Sequence, residues 1–118
     1  MNTRLKLGII ILLLDAIYLS TFGGQFSAMI KTIQGSDVKM RYVSAIICYM
    51  FVIYMLNHFI IEPKRNIKDA FILGACTYGV FDTVNYAIFK KYKLHLAIID
   101  TLWGGILFSL ATLITRKL

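Results

Sequence analysis

The feature that most constrains this chain is where its charges fall. Lys, Arg, Asp and Glu gather in short breaks, and between the breaks run apolar stretches about as long as a bilayer is thick. A helix needs about 20 apolar residues to cross the ~30 Å hydrocarbon layer. Only a backbone that satisfies its own N–H and C=O groups survives there, so stretches of this kind become helices. The pattern predicts spans over residues 7–26, 43–61, 67–89 and 94–115. Breaks this short join antiparallel neighbours. The expected fold is all-α, an integral membrane four-helix up-down bundle forming a single transmembrane domain over residues 1–118.

Composition agrees. Apolar residues make up 58% of the chain and charged ones 16%, against roughly 45–50% and 25% in soluble domains. The surplus of 13 Lys and Arg over 6 Asp and Glu invites a nucleic-acid reading. However, the basic residues flank the apolar runs, where they meet lipid headgroups, and no basic stripe with interleaved aromatics forms. The expected partner is the lipid bilayer, not nucleic acid.

The breaks carry their own signals. Arg4 and Lys6 ahead of an apolar run resemble a signal peptide, but Asp15 interrupts the run and no clean small-x-small cleavage site follows, so a retained first helix is expected. From Ser27 to Tyr42 polarity rises while Met29, Ile30 and Ile33 keep helical spacing. That pattern predicts a short interfacial helix after the first span, then a turn at Gly35-Ser36-Asp37. Pro63 should end the second span and disfavour helix at Glu62. Asn66, with Asp69 three residues on, reads as the N-cap of the third helix. Lys90-Lys91-Tyr92-Lys93 makes a basic turn into the fourth.

Cys48 and Cys76 lie inside apolar runs and read as small buried hydrophobes. His58 and His95 fall near opposite membrane faces, where interfacial side chains sit. No metal site, disulfide or cofactor is expected. Counting Lys and Arg on each side gives seven against six, a slim lean towards both termini being cytoplasmic.

Three carboxyl groups sit inside the apolar runs: Asp15, Asp82 and Asp100. A charge at mid-bilayer costs about 2.5–3.5 kcal/mol on insertion scales, so each needs a partner, a proton or a purpose. Tyr78, Asp82 and Asn85 share one helix face at i, i+4 and i+7, and Asp100, Trp103 and Gly104 share another. Asp82 precedes Lys90 by about as many residues as Asp100 follows Lys93, which puts both at one depth. On the first helix Gly8, two turns before Asp15, would admit a neighbouring backbone. No Lys or Arg lies deep enough to neutralise these acids. Asp15, Tyr78, Asp82, Asn85, Asp100 and Trp103 are therefore the expected buried polar cluster, in which at least one Asp holds or shares a proton. Tyr18, Tyr49, Thr83 and Thr101 are further candidate partners.

At these residues the chain resembles the domain-of-unknown-function family 2177 of small membrane proteins. The likeness is densest at Tyr78-Gly79-Val80-Phe81-Asp82-Thr83-Val84-Asn85 and Ile99-Asp100-Thr101-Leu102-Trp103-Gly104-Gly105, and extends to Leu14-Asp15, Ile33-Gln34-Gly35-Ser36 and Cys48-Tyr49. Phe81 and Val84 replace the usual Tyr and Thr, and Tyr92 stands where the family tends to have Trp. The resemblance implies a bacterial, algal or viral membrane protein, with the Gln-Gly-Ser turn pointing to the algal and viral branch and so to a viral internal membrane.

Three functions compete. The first is a proton- or cation-holding pocket, which would need a homo-oligomer or partner to transport anything. The second is a structural component of a virion or larger assembly, bound to other membrane or capsid proteins. The third is a membrane-embedded lipid-modifying enzyme using one carboxyl as acid and another as base. No nucleophile–base pair, phosphate loop or metal motif supports catalysis, so no catalytic residue is assigned and an enzyme is the less favoured reading.

Overall fold

The computed structural model describes residues 2–118. They form four long helices: α1 (Thr3–Gln34), α2 (Tyr42–Leu56), α3 (Ile67–Ile88) and α4 (Leu94–Lys117). A π-helical turn, Asn57–Ile61, carries α2 on without a break. Among the described residues there is no strand.

Three segments are long and apolar enough to cross a membrane: Thr3–Gln34, Tyr42–Ile61 and Leu94–Lys117. The expectation of four is met for three by this measure. At 22 residues α3 is long enough, about 33 Å at 1.5 Å per residue, but Lys68, Asp69, Asp82, Asn85 and two glycines dilute its hydropathy. Several hydroxyls within the helices are satisfied locally. Ser20, Thr21, Thr77 and Thr83 each donate to the carbonyl four residues back, so these side chains need no water.

Side-chain pairs fix the helix directions. Asp15 meets Trp103 and Tyr18 meets Asp100, so α1 and α4 run antiparallel. Gly74 faces Gly104, Gly79 faces Thr101 and Gly105 faces Phe71, so α3 and α4 do likewise. Asp15 also meets Tyr49, and Gly8 meets Ile53, which sets α1 against α2 in the same sense. The α3–α4 pair is the closest. A Cβ on Gly104 would lie 2.5 Å from the Gly74 carbonyl oxygen and 2.5 Å from Tyr78 Cγ, so only hydrogen fits there. All four elements contribute to one core, through Leu7, Ile11, Leu56, Ala70, Leu107 and Phe108 among others.

The two ends of the molecule are tied separately. At one end Arg4 pairs with Glu62 at 3.5 Å, and Arg116 donates to the carbonyls of Ile60 (3.3 Å) and Arg65. At the other, the Lys93 N–H donates to Met29 Sδ at 3.1 Å. Helix α3 starts beside Arg65 and ends at the turn before Lys93, so it traverses the molecule from one end to the other.

Several sequence expectations are corrected. No separate interfacial helix follows the first span, because α1 runs unbroken to Gln34. Phe26, Met29 and Ile33, spaced for one helix face, pack on Tyr92, Leu96 and Ala97 rather than on a lipid surface. The helix then ends as the sequence suggests, with Gly35 at φ 75° and its N–H on the Lys31 carbonyl, the left-handed closure glycine permits. The second span ends at Ile61, just before the residue that precedes Pro63: Glu62 is the C-cap of the π turn, with right-handed helical angles and its N–H bonded to Asn57 O at 2.9 Å. Cys48 and Cys76 are exposed, not buried. Gly8 admits the Ile53 side chain, whose Cδ1 would stand 3.0 Å from an added Cβ, rather than a backbone. The Asn66 cap on Asp69 N–H forms as expected, at 2.8 Å.

Candidate functional site

Asp15 enters from α1 and is 8% exposed. Its Oδ2 accepts from the Tyr49 hydroxyl of α2, and its Oδ1 accepts from the Trp103 indole N–H of α4 at 3.1 Å. One carboxylate thus joins three helices. One turn further along α1, Tyr18 donates to Asp100 Oδ1 at 2.9 Å. The Tyr18 ring lies flat on Trp103, with centroids 4.8 Å apart and planes 3° from parallel. This stack couples the Asp15 and Asp100 bonds into one assembly, because neither ring can move without the other.

Asp82 is the most enclosed of the three acids, at 0% exposure. Its Oδ1 accepts from the Tyr92 hydroxyl at 2.8 Å. Asp100 and Thr101 stand beside it, yet Oδ2 has no hydrogen-bond partner. A buried carboxyl oxygen without a donor is costly, of the order of 1–3 kcal/mol or more. Tyr92 itself sits in the α3–α4 turn, with its ring turned inward and 7% exposed. Burial, and then the Asp82 carboxyl beside it, push its phenol above the usual value, so Tyr92 stays protonated and remains a donor.

The remaining sequence candidates are placed differently. Tyr78 packs edge-on against Phe108, centroids 6.3 Å apart, and over Gly104. It supports the helix crossing and makes no hydrogen bond to a carboxyl among the described residues. Asn85 lies on the wall of a cavity of about 470 Å³ that it shares with Tyr18, Tyr92 and Asp100. Each acid has donors of its own: Tyr49 and Trp103 for Asp15, Tyr18 for Asp100 and Tyr92 for Asp82. His58 is held away from them, stacked on Tyr54 at 5.5 Å. Among the described residues, no group of His, Cys, Asp and Glu is arranged to hold a metal.

The residue that sequence reasoning left out of the cluster is Tyr92. It stands in the basic turn, and only the folding of that turn onto Met29 and Leu96 brings it to Asp82. A signal was present nonetheless. The family resemblance has Trp at this position, and Trp, like Tyr, carries a donor at the edge of an aromatic ring.

These helices define an all-helical membrane protein with polar side chains joined between its spans. The chain belongs to the family described as "Predicted membrane protein (DUF2177)", whose model matches residues 3–116. No curated protein and no solved structure matches the chain.

Proposed function

We propose that the protein is one four-helix up-down membrane domain, with α3 as its fourth crossing, and that Asp82 and Asp100 hold a proton between them inside it. Support for the crossing comes from the end-to-end course of α3, tied at one end through Arg65 and Arg116 and at the other through Lys93 and Met29. A fourth crossing also brings both termini to one side of the membrane.

The observation that carries the proton reading is Asp82. It is fully enclosed, with one oxygen on the Tyr92 hydroxyl and the other on no donor. The ion pairs of the described residues lie at the helix ends: Arg4–Glu62, Lys31–Asp37 and Arg65–Asp69. A bare carboxylate there would carry the full insertion penalty of about 2.5–3.5 kcal/mol. A proton shared with the neighbouring Asp100 removes that penalty and supplies the missing donor. Asp15 is different in kind, because Tyr49 donates to one of its oxygens and Trp103 to the other, so neither is left without a partner. The arrangement suits a proton-holding site better than a catalytic one.

Infrared spectroscopy of the purified protein at neutral pH tests this. A protonated carboxyl C=O band should be present in the wild type and lost in Asp82→Asn, where the amide becomes a donor to Asp100. A wild-type spectrum without that band would remove the reading.

A further inference from the structure

The cavity between α1, α3 and α4 has a chemistry of its own. Its volume of about 470 Å³ is in the range of small-molecule sites, about 300–1,000 Å³. Five aromatic rings line it, those of Tyr18, Phe26, Phe81, Phe89 and Tyr92, and the Asp100 carboxyl forms part of the wall. Asn85 and Gln34 are the other polar residues there, and the Gln34 amide N–H₂ is already engaged with the carbonyls of Ser36 and Asp37. No Lys or Arg is among the lining residues.

We infer that this cavity is a binding site for a lipophilic organic cation, an ammonium or phosphonium centre carrying apolar substituents. Aromatic faces attract a cation through their quadrupoles, most strongly where water is excluded. Asp100 adds an acidic group whose first oxygen is held by Tyr18, and Asp82 is its neighbour. An anion of the same shape meets those two acids with no basic side chain to receive it. A neutral apolar molecule gains nothing from Asp100. The apolar rings favour substituents that a small hydrated metal ion lacks. The inference uses Asp100 of the proposed proton site, so a bound cation and the shared proton would compete for one carboxyl.

The protein carries a single Trp. Trp103 is stacked on Tyr18, which lines the cavity, so its fluorescence reports occupancy. In a neutral maltoside detergent, tetraphenylphosphonium and tetraphenylborate are matched probes of equal shape and opposite charge. The expected result is a saturable change in Trp103 emission with the phosphonium and none with the borate. Asp100→Asn should weaken the phosphonium by at least about tenfold, and Phe26→Ala should weaken it with the carboxyl intact. Equal responses to the two ions, or unchanged phosphonium affinity in both variants, would overturn the inference. If Asp100→Asn does not fold, Asn85→Lys places a fixed cation on the same wall and should abolish phosphonium binding; unchanged binding in that variant overturns the inference as well. The carboxyl band separates the two proposals. Loss of cation binding with the band present defeats only the cavity, and absence of the band with cation binding present defeats only the shared proton.

Discussion

Tyr92 donates to Asp82 at 2.8 Å from a turn outside α3 and α4. The most enclosed acid of the molecule is therefore held by a residue that belongs to neither helix of its closest pair. The α3–α4 turn acts as a lid on the carboxyl, and the C-terminal turns of α1 hold the lid down through Met29.

Removing that donor should be costly. Tyr92→Phe keeps the buried ring but removes the donor to Asp82 Oδ1, and is expected to destabilise the fold by about 1–3 kcal/mol. Thermal unfolding in detergent measures the loss. Tyr92→Trp, which keeps a ring-edge donor, should recover part of it, and recovery equal to that of Phe would show that the hydrogen bond is immaterial.

The α3–α4 crossing depends on hydrogen at Gly104. Gly104→Ala sets a Cβ 2.5 Å from both the Gly74 oxygen and Tyr78 Cγ, so the backbones must separate, at an expected cost of about 1–3 kcal/mol. Gly24 has nothing within 4 Å of an added Cβ. Gly24→Ala should be neutral or stabilising by up to about 1 kcal/mol, since alanine is the better helix former. Parallel unfolding curves of the two variants decide the point.

Met29, 2% exposed, anchors the end of α1. Met29→Ala is expected to destabilise by about 2–4 kcal/mol and to raise amide exchange over residues 27–34 more than over residues 5–20. Uniform exchange along α1 would show that its last turns are not held by this contact.

The stack of Tyr18 on Trp103 separates two roles of one ring. Tyr18→Phe removes the hydroxyl that donates to Asp100 while keeping the stack, so Trp103 emission should stay close to wild type. Tyr18→Leu removes both and should shift it. An equal shift in the two variants would mean that the hydrogen bond, rather than the stack, positions Trp103.

Membrane character and helical class were legible in the sequence, because the length of an apolar run, the cap at Asn66 and the turn at Gly35 act locally. The acids within the helices were legible for a related reason, although only Asp15 and Asp82 are buried. In a lipid-facing helix a carboxyl stands out against its neighbours, so Asp15, Asp82 and Asp100 announced themselves. The same setting hides other information. Where lipid replaces water, apolar residues gain little by facing inward, so Cys48 and Cys76 could lie outside while the sequence suggested burial. The C-terminal third of α1, with apolar spacing fit for either a membrane surface or a protein one, gave no means of choosing.

What the sequence by itself determined, then, is the helical class and the polar groups set within the apolar runs, since helix formation and insertion depend on composition along the chain. The tertiary structure decided the partners: Tyr49 and Trp103 for Asp15, Tyr18 for Asp100, Tyr92 for Asp82, and the Gly74–Gly104 approach that sets two of those acids side by side. Each of these joins residues distant along the chain or on different elements, and each depends on the rotation of one helix against another to within a few ångströms. Hydrophobic periodicity carries no such rotation in a helix surrounded by apolar groups on every side.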